Sequence, residues 1–158
     1  MLNPKFNIFP NDTRYYLLTG GRGSGKSFAV ALNTLILSLD NKCQHKILFT
    51  RYTLKSASIS IIPEFKEKIE LMGWESFFHI TSNEITNLLT GSKILFRGIR
   101  TSSGDQTANL KSLQGITTWI IDEAEEMVDE DIFDKIDFSV RQKGAKNRVV
   151  IVMNPSTK

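Results

Sequence analysis

"LLTGGRGSGKSFAVAL", residues 17–32, decides how the rest of the chain is read. A short apolar run gives way to four glycines in six residues, then a lysine and a serine, then a second apolar-rich run. Glycine at this density excludes regular structure and costs chain entropy on folding. Gly20, Gly25, Lys26 and Ser27 satisfy the pattern G-x-x-x-x-G-K-[ST]. In that pattern the loop's backbone N–H groups turn inward on a phosphate, and the following helix adds its N-terminal N–H groups and positive dipole end. The lysine reaches the outer phosphates of a nucleotide and the serine hydroxyl serves Mg2+. Residues Gly20, Gly21, Arg22, Gly23, Ser24, Gly25, Lys26 and Ser27 are therefore expected to hold a nucleotide. The competing reading is a flexible glycine turn, and the flanks argue against it. "RYYLLTG" (14–20) reads as a buried strand, and "SFAVALNTLILSLD" (27–40) as a helix with Phe28, Leu32, Leu35, Ile36 and Leu39 as its apolar positions.

Working outward, "KILFT" (46–50) is a second short apolar strand, with Arg51 directly after it, at the same sheet edge as the loop. "SASISIIPEFKEKIELMGW" (56–74) reads as a helix that starts near Pro63 or earlier and stops at Gly73. "FFHITSNEITNLLTGSKILFRG" (77–98) alternates, carries a "TGS" turn and reads as antiparallel strands. "TTWII" (117–121) is a buried strand, "DEDIFDKIDFSVR" (129–141) a helix with acids at its start, and "RVVIVM" (148–153) a last buried strand stopped by "NP". Continuous apolar strands alternating with helices predict an α/β fold, a mainly parallel sheet covered by helices on both faces, with the antiparallel hairpin as an insertion.

A phosphate loop also needs an acid for the metal. Asp122 and Glu123 end an apolar strand about 95 residues downstream of the loop. That puts Asp122 where ligands bind in such sheets, and an adjacent glutamate can deprotonate a water for attack on the γ-phosphate. The plainer alternative is a helix-capping start to the acidic segment. Asn154, at the end of the last strand, could offer an amide to a γ-phosphate or simply terminate the strand. Arg22, Arg51, Arg97, Arg100, Lys111 and Arg141 are candidate phosphate or trans-acting cations, each weighed against ordinary surface charge. "NDTRYY" (11–16) could cradle a base, or merely lead into the strand. Cys43, His45 and His79 have no metal-ligand spacing and read as structural.

The bulk composition agrees with one domain over residues 1–158. No run is apolar for long enough to span a bilayer, the N-terminus lacks secretory-signal character, and a lone cysteine suits a reducing compartment. A net charge of +3 does not by itself indicate nucleic-acid binding. Its distribution is uneven: residues 1–70 hold ten Lys/Arg against five Asp/Glu, and nine acids lie between Asp122 and Asp137. A GTPase is disfavoured because no N-K-x-D pattern follows, and "GRGSGK" is not the dinucleotide fingerprint.

With "GGRGSGKS" (20–27), "LFTRYTLKSASIS" (48–60), "GSKILFRGIR" (91–100), "LKSLQGITTWIIDEAEEM" (110–127) and "IVMNP" (151–155) in hand, the chain resembles the ATPase domain of a tailed-phage terminase large subunit of the PBSX-like type. The resemblance covers nearly the whole chain. It implies an additional-strand (ASCE, RecA-like) P-loop ATPase, with the Asn154 strand between the P-loop strand and the Asp122 strand. It implies ATP as substrate with Mg2+, and translocation of double-stranded DNA into a procapsid. Portal protein, terminase small subunit and ring self-association on the portal are the implied partners, with a monomer as the alternative off the portal and no membrane. The host cell cytoplasm is the implied location. By motif, Lys26 and Ser27 would be phosphate and metal residues, Asp122 the metal carboxylate, Glu123 the catalytic carboxylate and Asn154 part of the coupling motif. Two departures stand out. Lys111 occupies the stretch where the family often has an arginine finger, and the family's nuclease domain has no counterpart in these residues, so a partial ATPase core without DNA cleavage is expected. A helicase or repair ATPase, and a nucleotide-dependent assembly module without turnover, are the other readings. Glu123 argues against the second of these.

Overall fold

The computed structural model describes residues 13–21, 25–51, 57–99, 114–126 and 130–154. β1 (Tyr15–Thr19) leads to the glycine loop and α1 (Lys26–Ser38), and β2 (Lys46–Arg51) follows. A π-helical turn (Ala57–Ile61) runs directly into α2 (Ile62–Leu71). Then come β3 (Phe78–Ile80), β4 (Glu84–Asn87), β5 (Lys93–Gly98), β6 (Thr118–Ile121), α3 (Glu130–Ser139) and β7 (Arg148–Met153). All seven strands join one sheet in the order β1-β7-β6-β2-β5-β4-β3. β1, β7, β6, β2 and β5 are mutually parallel, while β4 is antiparallel to both β5 and β3.

The burial pattern explains the layers. Successive side chains of a strand point to opposite faces. Phe49, Phe96, Ile120 and Val150 therefore face α1 and α2, where Leu35, Phe65 and Ile69 complete one core. Leu48, Leu95, Trp119 and Val149 face the other way and pack with Ile136 and Val140 of and beside α3. Helices cover both faces, as the continuous apolar strands require. In the first core Phe49, Phe65 and Phe96 form a ring cluster with centroids 5.4–5.6 Å apart, two of the three pairs edge to face. In the second, Trp119 lies 5.2 Å from Phe133 and donates its indole N–H to Thr50 Oγ1 at 2.9 Å.

One sequence expectation differs from the structure. The stretch 77–98 is not a self-contained hairpin: β5 pairs parallel with β2 through the register Lys46↔Lys93 to Arg51↔Gly98, so it belongs to the core sheet. Only β3 and β4 extend the sheet's edge. The reason is legible afterwards, since Ile94, Leu95 and Phe96 are all buried, whereas β3 and β4 alternate. The helix expected to start near Pro63 or earlier is present: α2 begins at Ile62, directly after the π-helical turn. Pro63 stands in the first turn of α2, a position that tolerates proline.

Candidate functional site

The parallel strands end on a common edge, and the chemistry collects there. β1 delivers the glycine loop and β7 delivers Asn154. β6 delivers Asp122 and Glu123, and β2 delivers Arg51. A cleft of about 340 Å³ is lined by Gly21, Lys26, Ser27, Arg51, Glu123 and Asn154, with Asp122 and Gly25 also on its wall. Arg22, Gly23 and Ser24 lie outside the described residues, as do Arg100 and Lys111.

Local backbone sets the cleft's floor. Gly25 precedes α1 at φ 82°, a left-handed conformation that a side chain would strain, although a Cβ there would meet nothing within 4 Å. Glycine is required here for conformation and not for space. The first intrahelical bond runs from Ala29 N–H to Gly25 C=O at 2.9 Å. The N-terminus of α1 has no side-chain cap and no acid in its first turn. Its leading N–H groups and positive dipole end therefore border the cleft without a compensating side chain.

Lys26 is buried at 7 % exposure. Its ammonium donates to Gly20 C=O at 2.6 Å, to Met153 C=O at 3.3 Å and to Asn154 Oδ1. Three oxygens thus match the three protons of the group. The Asn154 N–H in turn donates to Glu125 Oε2 at 3.3 Å, so the end of β7 is tied to the turn that follows β6. The sequence allowed Asn154 to be a mere strand terminator; the geometry puts its amide on the loop lysine.

Arg51 Nε donates to Asp122 Oδ2 at 2.7 Å, and its Nη1 stands 3.5 Å from Glu123 Oε1. Arg51 and Asp122 side chains are each 13 % exposed and Glu123 34 %. Arg51 was expected to bind nucleotide. It lines the cleft, but its guanidinium engages the acid pair. Glu123 has φ 54°, the one positive φ outside glycine among the described residues. Such a backbone costs roughly 1–2 kcal/mol for an ordinary residue.

The other candidates are elsewhere. Arg14 donates to Val140 C=O at 2.9 Å and pairs with Asp137 at 3.0 Å, with Tyr15 Oη on the same carboxylate. These groups sit at the start of β1, the end of the strand opposite the loop and away from the cleft, while residues 11 and 12 of the stretch 11–16 lie outside the described residues. Arg97 donates to Phe96 C=O, and Arg141 stacks over Phe138. His45 is buried with Nδ1 2.9 Å from Thr117 Oγ1 and Nε2 3.3 Å from Asp40, a structural role, and His79 is exposed on β3. Sequence reasoning missed Glu64, in the first turn of α2, which shares a small recess with Ser27 and Asp122. Nothing in its local sequence separates it from a surface acid of an amphipathic helix.

The family model for the phage terminase large subunit matches residues 12–158. The PBSX phage terminase large subunit of Bacillus subtilis (strain 168) is 29 % identical over 157 residues, which is 98 % of this chain and 34 % of the relative. The chain thus spans about a third of that relative's length. The large terminase of a thermophilic bacteriophage superposes with TM-score 0.70 at 15 % identity, over 91 % of this chain and 34 % of that one. That phage protein is also solved in complex with ADP and with ATP-γ-S. The N-terminal domain of the DNA packaging ATPase of bacteriophage phi29 gives TM-score 0.69 at 16 % identity, over 99 % of this chain and 80 % of that one. At these identities the structural likeness speaks for the fold.

Proposed function

This chain belongs to the phage terminase large subunit family, and from that premise we propose that it is the ATP-hydrolysing module of a motor that drives double-stranded DNA into a procapsid. The observation that carries the reading is the strand order β1-β7-β6, which brings Lys26, Asn154 and the Asp122–Glu123 pair to one edge of the sheet. A glycine turn without function needs neither a buried lysine nor two acids facing it.

The residues present fit a magnesium nucleotide. The bare N-terminus of α1 and Lys26 supply positive potential for the phosphates, and Ser27 and Asp122 supply hard oxygen donors on the facing walls. Bound there, Mg2+ would neutralise charge on the β- and γ-phosphates. A γ-phosphate oxygen arriving at Lys26 would take the position that Asn154 Oδ1 holds, and the freed amide could then bond the phosphate. Glu123 is the carboxylate placed to take a proton from water. The water oxygen bonds to Pγ, the bond from Pγ to the β–γ bridging oxygen breaks, and ADP leaves. Arg51 holds Asp122 and Glu123 in a fixed relation before substrate arrives.

The reading extends to the assembly. The chain acts as the ATPase part of a longer large subunit, working in a ring on the portal protein with the small subunit, in the host cytoplasm. Its own product is ADP and phosphate. The arginine that completes the site comes from a neighbouring copy, so the isolated chain turns over slowly.

Fluorescent-nucleotide binding and phosphate release test this. Lys26→Ala should lose binding. Glu123→Gln should keep binding and lose about 10²–10⁴-fold in turnover. Normal turnover by Glu123→Gln would refute the catalytic assignment. Turnover indifferent to protein concentration, portal and DNA would favour a solitary ATPase over the motor.

A further inference from the structure

Behind the wall formed by Ser27 and Asp122 lies a recess of about 10 Å³, room for about one water molecule. Ser27 and Asp122 border both this recess and the nucleotide cleft. Glu64 borders the recess alone. The remaining wall is apolar, with Val30, Phe49 and Phe65 among its residues. A water in the recess would therefore find three oxygen-bearing side chains and otherwise hydrocarbon, and a buried water needs two to four polar partners.

We propose that Glu64 is a positioning residue for the divalent cation of the ATP site. It acts from α2 through a water in this recess, behind the Ser27 and Asp122 donors. The proposal rests on the reading of the cleft as an ATP site. Among the described residues no three His, Cys, Asp or Glu side chains are grouped closely enough to hold a metal directly. Glu64 borders the recess and not the cleft, so its contribution is relayed.

The placement of Glu64 needs an explanation beyond helix chemistry. An acid in a helix's first turn is favoured by the macrodipole, and Lys68 four residues on could pair with it. Yet Lys68 pairs with Glu67 at 3.5 Å and lays its ammonium over the Phe28 ring at 4.8 Å. Burial pushes the Glu64 carboxyl above its ordinary range. Lys68 and Arg51 oppose the shift, while Asp122 and Glu67 add to it. Two acids on one recess repel unless cations offset them. Arg51, bonded to Asp122 at 2.7 Å, is one such cation, and a bound divalent cation would be a second. Outer-shell carboxylates are a known means of orienting a metal's ligands, and their loss typically costs 10–100-fold in metal affinity.

Mn2+ titration of the ADP-bound chain, followed by electron paramagnetic resonance, tests this. Glu64→Gln should weaken Mn2+ binding about tenfold and leave metal-free ADP affinity unchanged. Glu67→Gln, whose carboxylate is 73 % exposed and outside the recess, should leave Mn2+ affinity unchanged and so controls for net charge. Equal Mn2+ affinity in wild type and folded Glu64→Gln overturns the proposal alone. Equal losses in the two variants also overturn it, since charge and not position would then explain them. If Glu64→Gln does not fold, Glu64→Asp gives the same reading, because it keeps the charge and shortens the reach. A wild-type chain that binds no ADP removes the ATP reading, and this proposal with it.

Discussion

At the scale of single residues, Glu123 shows a conflict between stability and chemistry. Its left-handed backbone costs about 1–2 kcal/mol, more than the roughly 0.5–1 kcal/mol that glycine costs in chain entropy. Its ion pair with Arg51 is long and part-exposed, so it contributes little. Glu123→Gly should therefore raise the urea midpoint slightly while abolishing turnover. A lower midpoint would mean that the Arg51 contact outweighs the strain. The residues that define the cleft were largely legible in sequence, because Gly25, Lys26, Ser27 and Asp122 have chemistry that constrains spacing. Arg51's hold on the acids and Glu64's recess were not. Both depend on side chains from β2, β6 and α2 meeting in space, and no local pattern encodes that meeting.

At the scale of elements, the first core depends on α2 reaching the sheet. Phe65 is 1 % exposed and touches the rings of both Phe49 and Phe96. Phe65→Ala should cost about 3–5 kcal/mol, read as a lower denaturation midpoint. His45 joins the loop before β2 to Thr117 ahead of β6. Burial lowers its pKa below the ordinary 6.5, with Asp40 pulling the other way and Arg148 adding to the lowering. The unfolded chain then takes up the proton first, so stability is full above pH 6.5 and falls as acid titrates the unfolded form and then the folded one. Thermal melts at pH 7.5 and 5.5 should show a drop that is smaller in His45→Gln. Helices α1 and α3 and the parallel strands β1, β2, β6 and β7 were readable from apolar runs and periodicity. The membership of β5 was not, because a turn such as "TGS" says that two strands are antiparallel and nothing about the strand on the far side.

At the scale of the molecule, the sheet divides into a parallel part that carries the site and an antiparallel flank, β4 and β3, that does not. β1 forms the other margin of the sheet among the described residues, with Leu17 62 % and Tyr15 47 % exposed. Leu17→Thr, on an open face of that margin, should change stability by less than about 0.5 kcal/mol, which chemical denaturation can check. A larger loss would show that the face is covered in solution. The place of β7 has a further consequence, for biosynthesis. β1 bonds to no described strand but β7, and Tyr15 pairs with Val149, near the other end of the chain. The phosphate loop emerges from the ribosome early, yet its strand has no partner until the last described strand appears. Contacts so distant in sequence form slowly. Nascent chains ending before Arg148 should leave the β1 amides open to hydrogen exchange, and the loop should become competent for nucleotide only as β7 slots in.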